Sequence, residues 1–286
     1  MYSGFLNLNK PLGITAHDCV ARVRKSLNQK QVGHSGTLDP AATGVLPIAL
    51  GKATRLLRFL PPGKSYTALI EFGTTTDSDD LDGQILTRQP CPDLSLAAVE
   101  FQLEQLIGKI WQRPPSFSAI QIGGKRLYDL ARSGEIVVAP LRQVEIEQIQ
   151  LLNWQLGDFP RLELQIDCGS GTYIRAIARD LGAALGCGGV LAGLCRTRSN
   201  GFSLEESLTF EQIYPDQIMA SDRPLAHLPE AKLEPEQTRR WLHGQVLAYP
   251  DLSFQGYKRV YNDIGEFLGI AEQRQDQLYP TVVISH

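Results

Sequence analysis

The chain has 286 residues, 43% of them hydrophobic and 21% charged, with 28 Lys and Arg against 31 Asp and Glu. That is enough apolar content to bury a core, and it excludes a disordered chain. The formal charge of −3 excludes a uniformly basic nucleic-acid coat and a polybasic membrane binder, but not a local basic face, because electrostatic binding depends on clustering.

Phe5, Leu6 and Leu8 suggest a first strand, ended by Asn9-Lys10-Pro11-Leu12-Gly13. Thr15 can then cap a helix whose apolar positions are Ala16, Cys19, Val20, Val23 and Leu27, with Arg22, Arg24 and Lys25 on the other face. Residues 29–44 are rich in Gly, Ser, Thr and Pro and read as a loop. The apolar run Val45–Leu50 and a basic segment with Lys52, Arg55 and Arg58 follow. Residues 64–73 alternate as a strand, and Asp77, Asp79, Asp80 and Asp82 form an acidic loop. Leu96, Val99, Leu103 and Leu106 have helical spacing. Residues 111–142, with Pro114-Pro115, Gly123-Gly124 and Pro140, read as an excursion from the core. Strands are expected over 143–152 and 161–168, then a helix after Ser170-Gly171-Thr172. After Pro229 the composition turns polar and suggests a small module of short strands.

Several chemistries have no signature here. No apolar run approaches the ~18 residues of a membrane span, and Met1 to Phe5 lacks the basic-then-apolar start of a secretory signal. Five scattered cysteines do not make a disulfide scaffold and fit a reducing cytosol, so a cytoplasmic location is expected. There is no C-x-x-C, H-E-x-x-H, G-x-S-x-G or strand-linked G-x-G-x-x-G, and Gly51-Lys52-Ala53-Thr54 departs from a P-loop in spacing and in Ala53. No metal site and no cofactor are expected.

The densest unusual segment is Gly33-His34-Ser35-Gly36-Thr37-Leu38-Asp39-Pro40-Ala41-Ala42-Thr43-Gly44-Val45-Leu46. Pro40 restricts Asp39 to extended backbone and can hold one carboxylate in place. By residue chemistry alone Asp39 reads first as an Asp-Pro turn former, and His34 as a satisfied loop or core histidine.

This segment resembles the active-site loop of the TruB family of tRNA pseudouridine-55 synthases, G-H-[ST]-G-x-L-D-P-x-A-x-G-x-L, at every fixed position. Further stretches resemble the family in the same order: Asn9-Lys10-Pro11, Lys64-Ser65-Tyr66, Arg113-Pro114-Pro115 to Ser118-Ala119 with Gly124-Lys125 and Tyr128, Gly171 to Arg175, and Leu194-Cys195-Arg196-Thr197. The resemblance implies an α+β fold with a mixed, mostly antiparallel sheet and flanking helices. A catalytic domain over residues 1–228 and a small PUA-like, RNA-binding module over 229–286 are expected. It also implies isomerisation of a T-loop uridine (position 55) of tRNA to pseudouridine, by a base-flipping route.

By that resemblance Asp39 is the catalytic carboxylate, attacking the sugar or the uracil ring or removing a sugar proton. It should stay ionised in a pocket that excludes water, with Arg175 as its cation. Tyr66 is expected beside the target base, to stack and to move a proton at C5. His34, Tyr173 and Leu194 are expected at the RNA or the pocket wall. Lys10 is expected to be a scaffold or RNA contact.

Seven Lys or Arg between Arg22 and Arg58 face one acid, Asp39, and five between Lys109 and Arg132, including Lys125 and Arg126, face one acid, Asp129. These runs are read as phosphate contacts to the T-arm. The acidic loop 77–82 is expected to face away from RNA or to be order-dependent. The expected partner is tRNA, with no membrane and no obligatory protein partner. The alternatives are a tRNA-binding or folding protein without chemistry, and a pseudouridine synthase acting on another RNA. Intact Asp39 and Arg175 argue against the first as sole role, and the absence of basic tails argues against a guide-directed relative.

Overall fold

Thr15 starts the first helix as the sequence suggests. Its side chain accepts from the Asp18 amide at 3.0 Å while Asp18 accepts from the Thr15 amide at 2.9 Å, a reciprocal cap. In this computed structural model residues 2–117, 121–122, 125–126, 139–251 and 253–284 are described, the pairs 121–122 and 125–126 by backbone alone. The expected contacts of Lys125 and Arg126, and the motif residues Ser118, Ala119, Gly124 and Tyr128, lie outside the described residues or side chains.

The elements run β1 (Gly4–Lys10), α1 (Ala16–Ser26), β2 (Val32–His34), β3 (Ala42–Leu50), and then a 3-10 stretch, Gly51–Phe59. Next come β4 (Lys64–Phe72), β5 (Thr74–Thr76), β6 (Ile85–Arg88), α2 (Leu96–Glu104), β7 (Gly108–Gln112), β8 (Gln121–Ile122) and β9 (Lys125–Arg126). β10 (Arg142–Gln155), β11 (Arg161–Cys168), α3 (Ile174–Ala184), β12 (Gly189–Ser199) and β13 (Phe202–Ser203) complete the larger part. Beyond short 3-10 turns lie β14 (Glu230–Leu233), α4 (Pro235–Leu242), β15 (Leu247–Ala248), β16 (Gly256–Asn262), β17 (Phe267–Arg274) and β18 (Gln277–Val283).

One nine-stranded sheet has the order β1-β3-β12-β4-β11-β10-β7, with β2 beside β3 and β13 beside β12. All pairs are antiparallel except β12 with β3. β12 was not expected from the sequence as a strand. It is central, closed on both sides by β3 and β4, and its residues do not alternate because bulges at Leu191/Gly193 and Arg196/Arg198 shift the register. β2 replaces expected loop, and β7 forms mostly where no element was expected. Each is short, three and five residues, and gains its order from a longer neighbour.

Alternate residues of β1 and β3 serve two cores. Leu6, Leu8, Leu46 and Ile48 pack against Cys19, Val20 and Val23 of α1, while Phe5, Val45 and Ala49 pack with Leu56 and Phe59. A third core joins β4 and β11 to Ile177 and Leu181 of α3 and Val99 of α2. The C-terminal strands form their own five-stranded sheet, β14-β16-β17-β18-β15, around the fully buried Trp241 of α4. That helix interrupts the expected run of strands. Ile270, Val282 and Ile284 pack into the Phe5 core, and Arg55 Nη1 donates to the Val283 carbonyl at 3.1 Å. Among the described residues no helix is long and apolar enough to cross a membrane.

Candidate active site

The loop between β2 and β3 is fastened at several points. Leu38 is buried in the β4–β11 core. The Asp39 carbonyl accepts from the Ala42 amide at 3.0 Å, and the Pro40 carbonyl accepts from the Gly13 amide at 2.9 Å. Gly44 has φ +101°, and a Cβ there would lie 2.3 Å from the Arg196 carbonyl oxygen. Only glycine lets β3 approach β12 this closely at that φ.

These fastenings present Asp39 to the N-terminal end of α3. Arg175 Nη2 lies 2.8 Å from Asp39 Oδ2. The Arg175 side chain is 7% exposed and that of Asp39 47% exposed. Arg175 also donates through Nη1 to the Ser78 carbonyl and through Nη2 to the Phe117 carbonyl, each at 2.9 Å. Its Nη1 lies 3.5 Å from Asp80 Oδ2. The guanidinium thus ties three segments to one helix, using the planar fork that lysine lacks.

The acidic loop does not face away from this site. Asp39, Asp80, Asp82 and Arg175 share, with Leu191 and Leu194, the lining of a small open cleft. The reason is charge pairing: Arg175 and Arg179 lie one turn apart on α3, and Arg179 Nη1 pairs with Asp79 at 2.8 Å. Burial raises the Asp79 pKa, and Arg179 opposes the shift. Asp80 is nearly closed, and its Oδ1 accepts from Ser78 Oγ at 2.5 Å and the Asp82 amide at 3.2 Å. Asp39 keeps an open face. The expected exclusion of water around Asp39 is therefore not a property of the protein by itself.

Tyr66 is buried in β4, opposite Arg196 of β12, and is not in the cleft lining. Burial pushes its phenol pKa up, the Arg196 charge opposes, and the Asp39 charge adds to the rise. Leu194 lines the cleft and packs on the β4–β11 core. Tyr173, half-buried, precedes α3. Gln112 clamps its backbone, accepting from the Tyr173 amide at 2.8 Å and donating to its carbonyl at 3.1 Å. His34 stands edge-on to His17 with ring centroids 5.5 Å apart, and its buried Nδ1 has no partner among the described residues. Burial, and then His17, lower the His34 pKa.

Lys10 requires a correction as an RNA contact. It is fully buried, and Nζ donates to the carbonyls of Pro11 at 2.9 Å and Pro40 at 3.4 Å. It braces the loop from below and offers RNA no surface. Burial lowers its pKa. The exposed basic residues Arg22, Arg24, Lys25 and Lys30 on one side, and Lys52, Arg55 and Arg58 on the other, flank β2. Sequence reasoning passed over Asp80, Gln112 and Arg179. The acids of the loop were visible, but their direction was not, and Gln112 carries no chemistry of its own.

The description "TruB family pseudouridylate synthase (N terminal domain)" matches residues 24–174, and "Pseudouridine synthase II TruB, C-terminal" matches residues 229–284. The chain is similar to proteins named tRNA pseudouridine synthase B from Trichormus variabilis, 53% identical, and Nostoc sp., 54% identical, each over 98% of both chains. Among solved structures it is similar to a chain of an H/ACA RNP bound to a substrate RNA containing 2'-deoxyuridine, with TM-score 0.71 and 25% identity over 95% of this chain and 78% of that one. It is also similar to a chain of a Cbf5-Nop10-Gar1 complex, with TM-score 0.72 and 27% identity over the same shares. With both parts of the chain matched and relatives of about half-identical sequence spanning its length, the protein belongs to the TruB family of pseudouridine synthases.

Proposed function

We propose that this enzyme isomerises a uridine of tRNA to pseudouridine, at position 55 in the T-loop, with Asp39 as the catalytic carboxylate. The observation that carries the reading is the 2.8 Å pair of a half-open Asp39 with a buried Arg175 at the lip of an apolar-walled cleft. Asp80, the other carboxylate touching Arg175, is occupied by donors and nearly closed. Arg175 holds the Asp39 carboxylate in position at 2.8 Å.

The reaction breaks the bond from N1 of uracil to C1′ of the sugar and forms one from C5 to C1′. The C5 proton is lost and N1 gains a proton, so atoms and electrons balance without a redox partner. The base must leave its stack to be reached, and the flipped nucleotide then covers Asp39 and displaces water from it. Tyr66, its phenol kept neutral by burial, faces the ring and takes part in proton transfer at C5. His34, Tyr173 and Leu194 line the approach of the nucleotide. The basic residues flanking β2, together with Lys125 and Arg126, contact T-arm phosphates. The module over 229–286 adds RNA contacts, and the enzyme works in the cytoplasm without an obligatory protein partner or a cofactor.

The test is chemical mapping of pseudouridine in tRNA incubated with the purified protein. One modified T-loop position is expected, with none from Asp39→Asn while that variant still binds the T-arm. Substantial turnover by Asp39→Asn removes the catalytic assignment, and modification elsewhere removes the assignment to position 55.

A further inference from the structure

Arg196 presents an electrostatic problem that the reaction scheme leaves unanswered. Its side chain is fully buried, yet among the described residues no carboxylate pairs with it. Nε donates to the Val45 carbonyl at 2.8 Å and Nη2 to the Gly36 carbonyl at 2.9 Å, bracketing the Asp39 loop at both ends. The third nitrogen, Nη1, is buried and has no aligned acceptor among the described residues. Its neighbour Tyr66 meets the guanidinium with a polar hydroxyl, but burial raises the phenol pKa, so Tyr66 brings no formal counter-charge. A buried cation without a counter-charge is costly, and proteins normally pair it.

A second cation stands next to it. Lys64, partly buried at the start of β4, has no ion pair among the described residues. Burial, and then the Arg196 charge, lower its pKa. The two meet at Gly36, which has φ +71°. A Cβ built on Gly36 would lie 3.1 Å from Arg196 Nη1 and 3.5 Å from Lys64 Nζ. Both nitrogens therefore face the same space over the glycine, and the missing side chain keeps it clear.

The geometry points to a phosphate-binding subsite at Gly36, in which Lys64 Nζ makes the contact and the Arg196 guanidinium supplies the buried positive charge behind it. Resting on the reading of the protein as an RNA-modifying enzyme, the ligand is a backbone phosphate next to the flipped uridine. Position argues for this choice. Gly36 is three residues from Asp39, and Lys64 lies on the same face of β4 as Tyr66, about 7 Å along the strand at ~3.4 Å per residue. One strand face thus carries the side chain for the base and the side chain for that nucleotide's phosphate. An anion here supplies the counter-charge that the protein withholds from Arg196, so the site favours RNA whose backbone is fixed while its base is turned inward.

The test uses the whole protein and T-arm hairpins carrying a single neutral methylphosphonate at successive positions around the target uridine. One position beside that uridine is expected to weaken wild-type binding by roughly three- to tenfold. Lys64→Gln is expected to weaken binding of the unmodified hairpin by a similar factor and to lower the slope of log K against log salt by about one unit. Lys64→Gln with that same neutral linkage is expected to be no weaker than either change alone, and Lys64→Arg is expected to retain the slope. An unchanged slope in Lys64→Gln, or fully additive losses at every linkage, overturns the subsite while wild-type conversion of the uridine leaves the enzymatic reading intact. Failure of wild type to bind or convert the hairpin removes both. If Lys64→Gln folds poorly, Lys64→Met carries the same slope and linkage comparison, and additive losses there overturn the subsite equally.

Discussion

Replacing Arg175 by Met removes the guanidinium and keeps a side chain of similar length. The structure sets what is lost: two charge-assisted hydrogen bonds at 2.9 Å to the Ser78 and Phe117 carbonyls, the 2.8 Å contact with Asp39 and the 3.5 Å contact with Asp80. Hydrogen bonds from a charged donor contribute about 1.5–3 kcal/mol each. Part of this is returned, because the buried guanidinium no longer has to be desolvated. Asp39, half exposed, is resolvated cheaply, whereas Asp80 is not. A net destabilisation of about 2–4 kcal/mol follows, or roughly 5–15 °C in Tm for a unit of this size. The effect on chemistry is separate. Loss of one preorganised partner of the reacting charge costs about 3–4 kcal/mol in the barrier, roughly 10²- to 10³-fold in kcat. The assay is single-turnover release of tritium from C5 of uridine in tRNA, run well below the variant's Tm and with enzyme in excess. Arg175→Lys keeps the charge but cannot span Asp39, Asp80 and two carbonyls, and should fall between. A wild-type single-turnover rate for Arg175→Met would refute the role given to the Asp39–Arg175 pair.

Gly44→Ala should destabilise by at least about 1–3 kcal/mol, the usual cost of overpacking, because its Cβ would sit 2.3 Å from the Arg196 carbonyl oxygen at φ +101°; a urea midpoint equal to wild type would contradict the close β3–β12 approach. Gln112→Leu should cost about 1–3 kcal/mol by stranding the Tyr173 amide, and should lower kcat by loosening the start of α3; an unaltered kcat at full folding would show that the clamp does not position Arg175. Burial raises the Cys168 pKa from 9.0 to about 11. Its contribution to stability is therefore complete below pH 9 and is lost as pH rises to about 11. Lys10 and Lys64, lowered by burial, act in the opposite sense, so the Cys168 part is the difference between wild type and Cys168→Ala; that difference should shrink across this window in urea titrations, and a constant difference would be the contrary result.

Local patterning was sufficient wherever one stretch of chain decides its own structure. The Thr15–Asp18 cap and the Ala16, Cys19, Val20, Val23 face are written within one helix, and α1 forms there. The alternation of 64–73 and 161–168 marks strands that each bury one strong face, and both form. The matched motifs also singled out Asp39 and Arg175, 136 positions apart in the numbering, and the fold brings them to 2.8 Å. What local patterning left undecided depends on partners distant in sequence. β12 lacks alternation because both its edges are taken, by β3 and β4, and bulges absorb the mismatch. The acidic loop could have pointed anywhere until Arg175 and Arg179 of α3 supplied its counter-charges. Lys10 could be a scaffold or an RNA contact from the sequence, and only the loop closing over it and giving its ammonium two carbonyls separates the two. Composition and periodicity thus determine which segments become helix or strand and which residue types carry chemistry. Burial, charge pairing and the approach of one backbone to another are set by contacts across the chain, and these exist only once the sheet has assembled.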